Sequence, residues 1–189
     1  MAHAKPDSEN DWLRSIVATY EGPLVRYAAR ITGDVDRARD VVQDTFLRLC
    51  RQDRGELDGH LAEWLYTVCR RRALDVERKE HRMQTSLSER LESCQAREPD
   101  QVNVLQRHEE YSEALRLLGT LPANQQEVVR LKFQAGLAYR EIAAVTGLSV
   151  SNVGFLLHVA LKRIREIMVD DISEAVRTPP SLDPDKGSM

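Results

Sequence analysis

Three cysteines, Cys50, Cys69 and Cys94, and five histidines are the side chains of this 189-residue sequence best suited to ligate a metal or act as nucleophiles. Their spacing serves neither purpose. The cysteines are odd in number, far apart and without a CxxC pair, which argues against a disulfide framework and a zinc site and fits a reducing cytoplasm. His108 falls on an apolar helical stripe with no second ligand one turn away, so it reads as a packed side chain. No HExxH, Ser/His/Asp grouping or phosphate-binding glycine loop occurs, and the expectation is a protein that is not an enzyme, with no catalytic residue, metal site, cofactor or small-molecule substrate. What remains is charge. Between Trp64 and Arg82, six cations (Arg70, Arg71, Arg72, Arg78, Lys79, Arg82) stand against three acids (Asp75, Glu77, Glu80). That local excess has the electrostatic character of a phosphate-binding face, although a solvated helix surface has the same composition. The whole chain has 27 basic and 30 acidic residues and a formal charge of −3, so any grip on nucleic acid must come from local patches or from a partner.

The elements that must position these residues are helical. The stretch from Tyr139 to Arg165 reads as two short helices around a bend, with Ile142 and Ala143 on the first and Leu148, Val153, Leu157 and Ile164 on the second. Small Ala143 allows close helix approach, Gly147 suits a positive φ at the corner, and Ser149 is placed to cap the second helix. In DNA-binding proteins such a second helix lies in the major groove; an ordinary helical hairpin has similar spacing.

Upstream, a helical pattern runs from Ser8 to Ile31, with Gly22-Pro23 marking a kink or break and Gly33 a stop. Asp34 is placed to cap a helix whose stripe is Val35, Ala38, Val42, Thr45, Phe46 and Leu49, and whose other, exposed face carries Arg37, Asp40, Gln43, Asp44, Leu47 and Arg48. Residues Gln52 to His60 form a polar loop, long for a helix connection. The helix from Leu61 packs through Leu61, Trp64, Leu65, Val68, Cys69, Ala73 and Val76. Periodicity fades from Met83 to Pro99 and resumes from Gln101 with Val104, Leu105, His108, Tyr111, Leu115 and Leu118, ending at Gly119. Leu121-Pro122 opens a helix packed through Val128, Val129, Leu131 and Phe133, closed by Gly136. The last helix continues to about Met168, followed by an acidic tail from Asp170 that is expected to be mobile. The predicted fold class is all-α, with two small helical domains at 1–82 and 101–169, a flexible linker at 83–100, a tail at 170–189, and the helix-turn-helix in the second domain. No signal peptide or apolar run long enough for membrane insertion occurs.

Three stretches in one order carry a resemblance to the bacterial RNA polymerase sigma factors of the two-domain extracytoplasmic-function group. ARDVVQDTFLRL (Ala38–Leu49) resembles the family's core-binding helix, and EWLYTVCRRRALDVERK (Glu63–Lys79) the helix after the promoter-opening loop. LPANQQEVVRLKFQAGLAYREIAAVTGLS (Leu121–Ser149) resembles the start of the promoter-reading domain. The resemblance implies a cytoplasmic initiation factor that directs polymerase core to a two-part promoter and assists melting. Asp40, Gln43, Asp44 and Leu47 would face the clamp helices of the largest subunit, with a further contact to the polymerase flap, and Phe46 would remain core. The loop Asp53 to His60, with Arg54, would hold a flipped minus-ten base; Arg70, Arg71, Asp75, Arg78 and Lys79 would lie along the minus-ten DNA. Ser149, Ser151, Asn152, Phe155, His158, Lys162 and Arg163 would read the minus-thirty-five element, with Arg165 as a further phosphate contact. An anti-sigma factor is a further implied partner.

Where the family usually has basic or small polar residues on the recognition helix, this sequence has Gly154, Phe155, Leu156, Leu157, His158 and Val159. Phe155 and Val159, four apart, could meet thymine methyl groups, pack on the tail through Ile167, Ile172 or Val176, or bind a protein. Two rivals therefore stand beside the sigma-factor reading, with a small helical enzyme as the least favoured third. One is a stand-alone helix-turn-helix regulator on a palindromic operator; the other is a sigma-like adaptor whose last helix binds protein.

Overall fold

The computed structural model describes residues 9–88 and 115–177. Asp34 shows how local chemistry starts an element: its Oδ1 accepts from the Arg37 N–H at 2.8 Å, satisfying a donor that the first helical turn leaves open. The helix it caps, α2 (Val35–Leu49), follows α1 (Glu9–Thr32) across Gly33, whose φ of +68° lets the chain turn without a Cβ clash. Arg54–Leu57 forms a single 3-10 turn, and α3 occupies Leu61–Ser88. Residues 115–119 are helical (α4), followed by α5 (Ala123–Phe133), α6 (Tyr139–Thr146) and α7 (Val150–Arg177). Among the described residues the fold is all-α.

Helices α1, α2 and α3 pack on one another as a three-helix bundle, while α5, α6 and α7 form a second group. Leu24, Ala28, Ala38, Val41, Leu65, Cys69 and Ala73 are almost fully buried in the first; Val128, Leu131, Ile142, Val153, Leu157 and Ala160 are so in the second. The groups are not separate bodies. Helix α3 packs against α6, and the buried side chains of both groups form one connected cluster.

Several sequence expectations change. No break occurs at Gly22-Pro23: α1 runs through Pro23, with Leu24 and Ala28 wholly buried beyond it, so tertiary packing offsets the missing N–H. Helix α3 continues to Ser88, past the expected linker start at Met83. Phe133 was expected in the packing stripe, yet it is 62% exposed and Leu137 is buried instead, because α5 ends there and the chain turns inward at Gly136, φ +71°. Helix α7 extends to Arg177, taking 170–177 out of the expected tail. Val104, Leu105, His108, Tyr111, Cys94 and most of the linker lie outside the described residues.

Candidate nucleic-acid and protein interface

The helix-turn-helix forms as its residue types dictate. Glu141 accepts from the Ala138 N–H at the start of α6, Gly147 takes φ +78° at its end, and Ser149 Oγ accepts from the Asn152 N–H at 3.2 Å. The axes of α6 and α7 are bent by 103°, within the range of helix-turn-helix motifs. Ile142, Val145, Val153, Leu156, Leu157 and Ala160 face inward. Ser151, Asn152, Phe155, His158, Lys162 and Arg163 are all exposed on the other side of α7, at spacings that put them on one broad helical face. Ser149 is exposed too, but its hydroxyl is already committed to the cap. Phe155 is 63% exposed, so it does not bury against the end of its own helix. Gly154 faces the Tyr139 ring, where a Cβ would meet Cε2 at 3.7 Å.

On α2, Asp40, Gln43 and Leu47 are exposed. Asp44, expected in open solvent, is half-buried: Arg72 Nε donates to its Oδ2 at 2.7 Å. The correction follows from α3 lying beside α2, which brings a guanidinium 28 positions distant in sequence onto the same face. Arg37 and Glu80 make a second ion pair between the same helices.

The loop after α2 is ordered by three contacts. Asp53 Oδ1 accepts from the Gly55 N–H at 2.7 Å, the Arg54 guanidinium sits 5.2 Å from the centre of the Trp12 ring, and Leu57 is buried. A cation over an indole face is attracted by the ring quadrupole. The His60 ring nitrogen Nδ1 lies 3.2 Å from the Asp58 carbonyl oxygen. Asp53, Arg54 and His60 themselves stay exposed around this anchored turn.

The basic run on α3 divides into two sets. Arg71, Asp75, Arg78, Lys79 and Arg82 are exposed on one face, with only a loose Arg78–Asp75 pair at 3.9 Å. Arg70 and Arg72 lie on the flanks and are engaged in partly buried ion pairs. Arg70 Nε donates to Glu127 Oε1 at 2.8 Å and its Nη2 to Oε2 at 3.4 Å. This bond, ahead of a Coulomb contribution from the same carboxylate, holds the guanidinium pKa above its usual value against the opposing effect of burial. The structure thus brings Arg71, Arg78 and Lys79 together and turns Arg70 toward α5. Sequence patterns missed Glu127, Leu57 and the pairing role of Arg72, since none sits at a spacing that reports its distant partner.

Cys69 is buried among apolar groups, which pushes its thiol up to about 12 and leaves it inert. Among the described residues no group of His, Cys, Asp or Glu could hold a metal ion, and no single helix is long and apolar enough to cross a membrane.

Residues 16–83 match Sigma-70 region 2, and residues 111–164 match Sigma-70, region 4. The two regions occur in the order, and on the elements, that carry the cationic helix and the helix-turn-helix. The chain belongs to the extracytoplasmic-function sigma factors. This sigma factor is 29% identical over 157 residues to the ECF RNA polymerase sigma factor SigL of Mycobacterium tuberculosis, covering 81% of this chain and 86% of the relative. It is 27% identical over 165 residues to the ECF RNA polymerase sigma factor EcfG of Rhodopseudomonas palustris, covering 87% and 89%. In fold it is similar to the sigma factor RpoE of Bartonella quintana, solved with the anti-sigma factor NepR (TM-score 0.60, 24% identity, covering 84% of this chain and 97% of that one). As a sigma factor it directs RNA polymerase to promoters and assists their melting in transcription initiation; the stand-alone regulator is not favoured.

Proposed function

We propose that the polar face of α2, with Asp40, Gln43, Asp44 and Leu47, docks on the clamp helices of the largest polymerase subunit, and that α3 and the loop before it receive the minus-ten element. Arg71, Arg78 and Lys79 run along the DNA backbone, where each cation that neutralises a phosphate releases counterions. Asp53, Arg54 and His60 rim the turn that accepts an extruded base. The exposed face of α7, from Ser151 to Arg163, reads the minus-thirty-five element near the polymerase flap, with Phe155 available for thymine methyl groups. The chain contributes no catalytic group of its own; bond formation is the work of the polymerase, in the cytoplasm.

The observation that carries this reading is the adjacency, on packed helices, of an α2 face that exposes Asp40, Gln43 and Leu47 and an exposed cationic face on α3. Binding to polymerase core by Asp40→Arg and by Leu47→Asp variants tests it. Each is expected to weaken binding by about tenfold or more, as a desolvated charge placed against a matched surface does, with unchanged helical circular dichroism. Wild-type affinity in both would sink the assignment.

A second reading concerns an anti-sigma partner. It is supported by Leu161 and Met168, 42% and 47% exposed seven positions apart on α7, and by the fold similarity to a sigma factor solved with such a partner. Phe155→Ala and Leu161→Asp, each assayed for promoter binding and for anti-sigma binding, separate a DNA-reading face from a protein-binding one.

A further inference from the structure

Glu127 on α5 lies where the two helical groups meet, and its carboxylate is shared between two elements of the other group. Tyr27 of α1 donates its hydroxyl to Oε1 at 2.7 Å, and Arg70 of α3 donates to both oxygens. The Arg70 and Glu127 side chains are only 23% and 22% exposed. Around them the contact continues. Tyr27 packs edge-on against Tyr66 with ring centres 5.2 Å apart, and Pro23, Arg26, Tyr27 and Tyr66 line one side of a cleft whose other side is Leu131, Gln134 and Ala135.

We propose that Glu127 is a latch holding the free protein in a closed state that must open before a promoter can be read. Two consequences of the geometry support this. Elements centred at minus-ten and minus-thirty-five are separated by about 25 base pairs, or roughly 85 Å at about 3.4 Å per step, a span that two groups in side-chain contact do not reach. Residues 89–114 are numerous enough to cover roughly 90 Å when fully extended, so the connection permits the open state that the latch opposes. The closed state also holds Arg70, which the family resemblance places along the minus-ten DNA, in a bidentate pair with a carboxylate; this second consequence rests on that placement. A binding-competent form that is only fractionally populated lowers apparent affinity by that fraction.

The test uses the full chain and four variants: Glu127→Gln, Glu127→Arg, Arg70→Glu and the charge-swapped pair Arg70→Glu/Glu127→Arg. Small-angle scattering of the free protein reports closure, circular dichroism reports folding, and titration of polymerase core with promoter DNA reports affinity. Glu127→Gln and Glu127→Arg are expected to enlarge the radius of gyration at unchanged helicity and to tighten core binding by roughly threefold to tenfold. The charge-swapped pair is expected to restore the compact radius, a rescue that a merely structural loss would not produce. Unchanged scattering and unchanged core affinity in both Glu127 variants, or failure of the swap to reclose the chain, overturns the latch. If instead the latch variants open the chain while Arg70→Glu opens it and keeps full promoter affinity, the latch stands and the assignment of Arg70 to the minus-ten DNA fails.

Discussion

Asp44 serves two partners. Its carboxylate is tied to Arg72 in the free protein and belongs to the face proposed to meet polymerase. Asp44→Arg sets two guanidinium groups against each other on adjacent helices. It is expected to weaken core binding more than Asp40→Arg does, because it also displaces Arg72; equal losses in a core-binding titration would count against coupling between the two residues. Arg72→Met, which leaves Asp44 in place without its donor, should give a smaller loss in the same direction. Cys69 makes a different kind of prediction. Burial raises its pKa from 9.0 to about 12, and burial likewise raises Tyr66 from 10.0 to about 12. The folded state therefore holds protons that the unfolded chain releases, so the stability these groups contribute is complete below about pH 9 and declines as pH rises toward 12. Cys69→Ala should flatten the first part of that decline, measured by urea unfolding at pH 8 and pH 10.5; an unaltered slope would show that the thiol is not the responsible group.

At the scale of elements, the turn between α2 and α3 and the corner between α6 and α7 are built on different physics. The first depends on packing. Leu57 is 3% exposed and fixes a loop otherwise rich in charge, so Leu57→Ala is expected to cost about 2–4 kcal/mol in chemical denaturation, the range for a leucine removed from a core, and to impair promoter opening more than duplex binding. The second depends on backbone sterics. A Cβ at Gly147 would touch nothing within 4 Å, yet φ is +78°, so Gly147→Ala should destabilise by about 1 kcal/mol through conformation alone. A loss several times larger would point to a contact made on opening. On α3 the exposed cations are the ones proposed to contact DNA: Arg78→Ala and Lys79→Ala should each reduce the slope of log affinity against log salt by about 1, while Arg72→Ala, which removes an ion-paired cation, should leave that slope nearly unchanged.

For the whole molecule, the continuous core from α1 to α7 makes the two groups interdependent. One cooperative unfolding transition, coincident by circular dichroism and tryptophan fluorescence, is expected of the free protein. Opening the Glu127 latch should separate the transitions, because both tryptophans, Trp12 and Trp64, lie in the first group. A formal charge of −3 gives the whole chain no bulk attraction for phosphate, so the exposed cations Arg71, Arg78 and Lys79 of α3 are proposed to act on DNA only within the larger assembly.

The sequence by itself determined the features that depend on residues a few positions apart. The Asp34 and Ser149 caps, the positive-φ glycines Gly33 and Gly147, the order of helices and the helix-turn-helix all follow from capping groups, steric freedom and the 3.6-residue period, and the three matching stretches carried the family with them. Pro23 inside α1, Phe133 turned outward and the full length of α3 and α7 escaped because packing partners outside those windows outweighed local preference. Tertiary structure alone decided which of six cations on α3 stay exposed and which are held in ion pairs with another helix. Arg72 and Asp44 are 28 positions apart, Arg70 and Glu127 57, and Tyr27 and Glu127 100. No periodicity links such residues; only the docking of one helix on another brings their charges within hydrogen-bonding distance.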